Sequence, residues 1–265
     1  MKKIFLISSF ILFGQAAFTQ SKQKTNKQLR QERINQLIKK EEEGSIIFNK
    51  QWVAGGQLNS DGYGAFGELM YFKTPKVSYW YRLELGEHKS NKEEKVLNSD
   101  PAVGRNTFIY GKINNFFYAK LGFGQQYFIG NKGNKNGVAV SLLYGGGLSA
   151  GLLKPYVLEV VDVAATKTEF ITYDPKNPDI RFLYPYLTVG SGGFLKGWDK
   201  LQFRPGVYGK VALRFDYGRY NETVSALEAG INWEIYKYGM PIMLGAKAQQ
   251  FLFNAYVAVM LGHRR

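Results

Sequence analysis

The chain of 265 residues has no cysteine. That absence excludes disulfides, thiolate metal sites and a lipoprotein anchor, each of which needs the thiol. Histidine is nearly absent as well, with only His88 and His263, so the side chain best suited to acid–base chemistry near neutral pH is scarce. Beyond the first twenty residues no apolar run approaches the roughly 20 residues of a membrane-spanning helix. Acid is in short supply too, with 21 Asp and Glu against 35 Lys and Arg, which leaves a net charge of +14.

What is present begins with residues 1–20. Lys2 and Lys3 start a basic segment, an apolar stretch runs from Ile4 to Gly14, and Ala16 and Ala17 supply small side chains. This is the plan of a secretory signal peptide. Export makes nucleic acid a poor match for the basic charge. Residues 21–43 carry dense charge without glycine or aromatics. Ile34, Leu37 and Ile38 share a helical face there, so the segment reads as a short helical or disordered periplasmic arm. It serves either as a docking arm or as a solvated leader into the first strand, and the leader is favoured.

From residue 44 to 265 the apolar period changes to two. Val77, Tyr79, Tyr81, Leu83 and Leu85 alternate with Ser78, Trp80, Arg82, Glu84 and Gly86, while Leu227, Ala229, Ile231, Trp233 and Ile235 alternate with Glu228, Gly230, Asn232 and Glu234. The ending repeats the pattern, with Phe251, Phe253, Ala255, Val257, Val259 and Leu261 in one register. A β-sandwich alternates similarly, but its strands average nearer five or six residues, shorter than these segments. Long alternating strands with aromatics toward their ends fit a transmembrane antiparallel β-barrel. About ten strands are expected, at 46–58, 63–73, 77–88, 106–113, 116–129, 137–149, 152–163, 204–218, 222–236 and 250–263. Eight or twelve remain open, because 137–163 reads as one long strand or as two around a glycine turn. Short turns are expected at Thr74-Pro75-Lys76, Asn114-Asn115 and Arg219-Tyr220-Asn221, and longer outer loops at 89–105, 131–136, 166–202 and 237–249.

The stretches KINNFFYAKLGFGQQYFIGNKGNKNGV, LLKPY, FRPGVYGKV and FLFNAYVAVMLG resemble outer-membrane β-barrel proteins of Bacteroidota. The resemblance spans roughly Gly111 to the C-terminus. It implies fold and location, and brings no reaction or catalytic residue.

Several motifs bear on chemistry. GYGAFG, with Gly62, Gly64 and Gly67, matches a dinucleotide fingerprint. That fingerprint needs a following helix to meet the phosphate, and here a strand follows, so turn and wall glycines explain it. His88, expected at the outer rim, is the one candidate base, with Ser90 and Asp100 near it along the loop. A rim histidine without catalytic duty is favoured, and no catalytic, cofactor or metal site is assigned. Glu68, Arg82, Glu84, Lys120, Lys210, Arg214, Asp216, Glu228 and Glu234 fall on lumen-facing registers. In a narrow barrel such charges either pair into an interior network or line a pore, and the network is favoured.

Lysines at 89, 92, 95, 132, 135, 167, 176, 196 and 200 crowd the loops. They fit anionic outer-membrane lipid, including lipopolysaccharide, about as well as general solubility. Phe194, Lys196, Trp198 and Lys200, in an amphipathic stretch of the longest loop, form the candidate partner-binding segment. The expected role is a non-catalytic structural or accessory component of an envelope complex with a possible protein partner. A narrow pore is the second reading and an outer-surface hydrolase the third.

Overall fold

The computed structural model describes residues 25–42, 48–98, 106–130, 137–162, 167–218 and 222–265. The expected signal peptide lies outside these residues. Two compact units divide the chain, Met1–Ser45 and Ile46–Arg265. The first contains α1 (Asn26–Glu42), a single helix without an acidic first turn.

In the second unit, period-two sorting produces a closed wall. Eight strands form it: β1 (Lys50–Asn59), β2 (Gly62–Phe72), β3 (Val77–His88), β6 (Asn114–Gly130), β7 (Ala139–Pro155), β11 (Gln202–Asp216), β12 (Thr223–Met240) and β13 (Gln249–Arg264). Every neighbouring pair is antiparallel, and β1 closes on β13, with Gln51 opposite Arg264 and Asn59 opposite Tyr256. Closure leaves no free sheet edge in the wall.

The interior is packed on the registers that the alternation assigns. Along β13, Leu252, Asn254, Tyr256, Ala258 and Met260 are buried, while Phe251, Phe253, Val257, Val259 and Leu261 are exposed. The outward face elsewhere is equally apolar, with Leu58, Leu69, Leu83, Leu121, Leu148, Val207 and Ile231 uncovered.

Eight wall strands replace the ten expected. The region 137–162 supplies one wall strand, β7, after which the chain leaves the barrel and forms β8 (Val157–Asp162). The glycines Gly145, Gly146 and Gly147 lie inside β7, paired on both sides, and make no turn. Residues 106–113 contribute no wall strand. Only β5 (Thr107–Ile109) forms there, and it pairs with β4 (Lys95–Leu97). Asn114-Asn115 is the start of β6 rather than a turn.

These corrections rearrange the two ends. Residues 73–76 and the connections β6–β7 and β11–β12 lie at the end that carries Lys50 and Arg264. Residues 60–61, 89–98, 106–113, 156–162, 167–201 and 241–248 lie at the other end. The segment 131–136, expected among the outer loops, lies outside the described residues.

Above the far end sits a small head. β8 pairs with β9 (Lys167–Thr172) and with β10 (Thr188–Ser191), giving the order β10-β8-β9. Phe108, Tyr156, Leu158, Val160, Ile171 and Phe182 fill its core. Backbone bonds from Ile113 to Ile242 and from Leu244 to Gly111, at 2.8 and 2.7 Å, tie the head's base to the β12–β13 connection.

Candidate functional site

The nine charges on lumen registers are all buried. β2, β3, β11 and β12 bring four of them into an alternating square. Arg82 Nη1 donates to Glu228 Oε1 at 2.8 Å and Arg82 Nε to Glu68 Oε2 at 2.9 Å. Arg214 Nη1 donates to Glu68 Oε1 at 2.8 Å and Arg214 Nη2 to Glu228 Oε2 at 2.7 Å. Tyr256 Oη adds a bond to Glu228 at 2.6 Å. Register explains the arrangement, because Glu68 stands opposite Arg82 and Arg214 opposite Glu228 on adjacent strands. The barrel then folds these two pairs toward each other across the lumen.

A second layer lies nearer the head. Lys120 Nζ is 2.7 Å from Glu234 and 3.5 Å from Glu84, while Lys210 Nζ is 3.5 Å from Glu84 and 3.6 Å from Glu228. Gln57 donates to Glu84 at 2.6 Å. Glu68, Glu84, Glu228 and Glu234 thus match Arg82, Lys120, Lys210 and Arg214 one for one. Asp216 stands apart, at the end with the termini, where it pairs with Arg264.

Apolar layers close the charges off at both ends. Val53, Met70, Trp80, Leu143, Val224, Ala226 and Met260 pack on the terminal side. Phe116, Tyr118, Leu153, Tyr236, Met240 and Leu252 pack on the head side. The matched ion pairs thus lie between two sets of buried apolar side chains.

His88 is not a rim residue. Its ring turns into the lumen, with Nε2 3.0 Å from Glu234 and Nδ1 2.9 Å from Asp61 in the β1–β2 turn. Phe116 and Tyr118 pack against it, with ring centroids 5.0 and 4.6 Å away. Ser90 turns instead to Glu93, whose carboxylate its backbone N–H meets at 3.1 Å. Asp100 lies outside the described residues. No nucleophile–base pair forms around His88 among the described residues, and no group of side chains suited to a metal occurs there either.

No protein-family model matches the sequence, and no curated protein does. Among solved structures the chain is similar to the N-terminal β-barrel domain of Pseudomonas aeruginosa OprF, at 11% identity and a TM-score of 0.37, covering 81% of this chain and 98% of that one. It is similar to Ail, the attachment invasion locus protein of Yersinia pestis, at 10% identity and a TM-score of 0.40 over 83% and 100% of the two chains. Neisserial surface protein A gives 10% and 0.33, over 81% and 94%. These neighbours are outer-membrane β-barrels.

The loop residues read as a partner-binding segment fall together on the outside of the wall. Trp198 stacks on Phe117 of β6, with centroids 5.6 Å apart and planes 15° apart, and Phe194 meets both rings edge-on. Lys196 lies over the ring of Phe170 in β9, and Lys200 is exposed. Sequence reading passed over the residue that holds this segment, Lys154. It shares the outward register of Leu148 and Leu152, yet it is only 2% exposed because the segment covers it. Its Nζ donates to the Phe194 carbonyl at 2.6 Å and lies over the rings of Phe194 and Trp198. The available signal was a cation in an otherwise apolar register.

On the head, Arg181 clips a 3₁₀ turn to β9. It donates to Asp179 at 2.7 Å and to Glu169 at 3.0 Å. Those bonds hold the Asp179 carboxyl below its ordinary range.

Proposed function

We propose that this protein is a non-conducting, non-catalytic outer-membrane β-barrel that serves as the membrane-held base of its folded head, as an accessory component of an envelope complex. The sealed lumen carries the reading: matched, fully buried charges lie between two apolar layers, which supports a plug and disfavours a solute path. The apolar outward face supports a membrane setting, because so many uncovered Leu, Val and Phe side chains would be costly in water. The head at the end opposite the barrel's termini supports an outer-surface role. His88, enclosed by Asp61, Glu234 and two aromatic rings, offers no accessible base for a hydrolase.

Two measurements test this. Refolded protein in planar bilayers is expected to give no discrete conductance steps, and reproducible steps would restore the pore reading. Extraction in gentle detergent is expected to return the barrel with a stoichiometric protein partner, whereas a clean monomer counts against an accessory role. Heat-modifiable gel mobility checks that a closed barrel is present in both experiments.

A further inference from the structure

The stretch from Gly192 to Leu201 is rigidly held and yet presents its apolar side chains outward. Gly192 N–H donates to the Val157 carbonyl at 2.8 Å, and Trp198 Nε1 donates to the Phe194 carbonyl at 2.9 Å, the same oxygen that Lys154 meets. Gly197 has φ 89°, and a β-carbon there would lie 2.8 Å from the Pro155 carbonyl, so the backbone fits only as glycine. In spite of this anchoring, Phe194 is 63% and Leu195 86% exposed, with Trp198 and Leu201 partly so. Phe203, the neighbouring outward residue at the start of β11, is uncovered as well.

A loop bathed in water has no reason to fix such side chains outward, since burying them inward would gain the free energy that exposure forfeits. The wall beneath it, at Phe117 and Leu152, belongs to the same outward apolar face as the rest of the barrel. Two cations, Lys196 and Lys200, stand on this stretch beside the single carboxylate Asp199, and Lys154 lies under it. Aromatic rings with adjacent lysines are the side chains that settle at a membrane interface, rings among the acyl chains and ammonium groups at the phosphates.

We propose that residues 192–201 form an interfacial foot. Phe194, Leu195 and Trp198 enter the outer leaflet against the barrel wall, and Lys196 and Lys200 bind phosphate-bearing lipid headgroups. The proposal rests on the outer-membrane reading and names the surface by which the barrel takes hold of its own lipid.

The test uses the full barrel refolded in vesicles of phosphatidylcholine with and without lipid A. Acyl-brominated phosphatidylcholine is expected to quench the part of the tryptophan emission that Trp198→Phe removes, and aqueous iodide is expected to leave that part unaffected. Phenylalanine keeps the stack on Phe117, so the variant retains its fold. A Trp198 component quenched by iodide and untouched by bromine overturns the foot. In native mass spectrometry, the Lys196→Gln/Lys200→Gln variant is expected to retain lipid A about fivefold less per lysine removed, with phosphatidylcholine retention unchanged. Equal lipid A retention overturns the headgroup site. Heat-modifiable mobility separates the two levels: wild-type protein that neither inserts nor shifts on heating overturns the membrane reading itself, while a normally inserted barrel that fails the other measurements overturns the foot alone.

Discussion

Glu228 accepts from Arg82, Arg214 and Tyr256 and lies 3.6 Å from Lys210, so every side of its carboxylate is in use. Such a group is expensive to remove, because each former partner remains buried without its countercharge. Glu228→Ala is expected to lower unfolding stability by about 3–5 kcal/mol, measured as the urea midpoint of the refolded barrel in vesicles. An unchanged midpoint would mean that the square contributes nothing. Close approach decides a second position. A β-carbon at Gly122 would lie 1.9 Å from the Tyr208 hydroxyl, which has no hydrogen-bond partner among the described residues. Gly122→Ala is therefore expected to cost about 1–3 kcal/mol by overpacking. Adding Tyr208→Phe removes the clashing oxygen and should recover part of that loss in the same urea assay. No recovery would place the strain in the backbone instead.

At the scale of elements, alternation in the sequence identified both faces of β3, β12 and β13, because one face meets lipid-like surroundings and the other a packed lumen. The same logic made lumen residues such as Arg82 and Glu234 readable. It failed at 106–113 and 152–163, where strands of the head alternate as wall strands do, since each also covers a core on one side. It failed again at Gly145–Gly147, where Gly145 makes room for the ring of Trp80 inside the lumen, Gly146 and Gly147 lie close against the neighbouring strands' backbone, and none of the three signals a turn. The enclosure of His88 was illegible because Asp61, 27 positions away, meets it through the register of the β2–β3 hairpin, and Glu234, 146 positions away, only across the closed lumen. Head and wall should also differ in stability. β9 is an edge strand of a three-stranded sheet, whereas each wall strand is paired on both sides. Amide exchange is expected to be fastest in β4, β5 and β9 and slowest in the wall. Arg181→Ala should speed exchange in β9 and leave the wall unchanged. Lowering the pH should loosen β9 in the same direction once each rate is divided by the intrinsic exchange rate at that pH: a carboxyl held below its ordinary range stabilises the fold above that range, and the contribution fades as protons reach Asp179. Equal rates in β9 with and without Arg181 would remove the clip.

For the molecule as a whole, the basic excess divides by location. The lumen is neutral, charge for charge, so its cations do not contribute to the net +14. Among the described residues, Lys89, Lys92, Lys196 and Lys200 lie outside the lumen and are exposed. The pairing of β1 with β13 carries one more consequence, for timing. Gln51 meets Arg264 across 213 positions, and the lumen square likewise waits for β12. No early portion of the chain can finish a stable piece of wall and hold it while the remainder arrives. Until the last strand is delivered, the growing sheet has two sticky margins and an uncovered oily side. The wall therefore closes in one late, cooperative event.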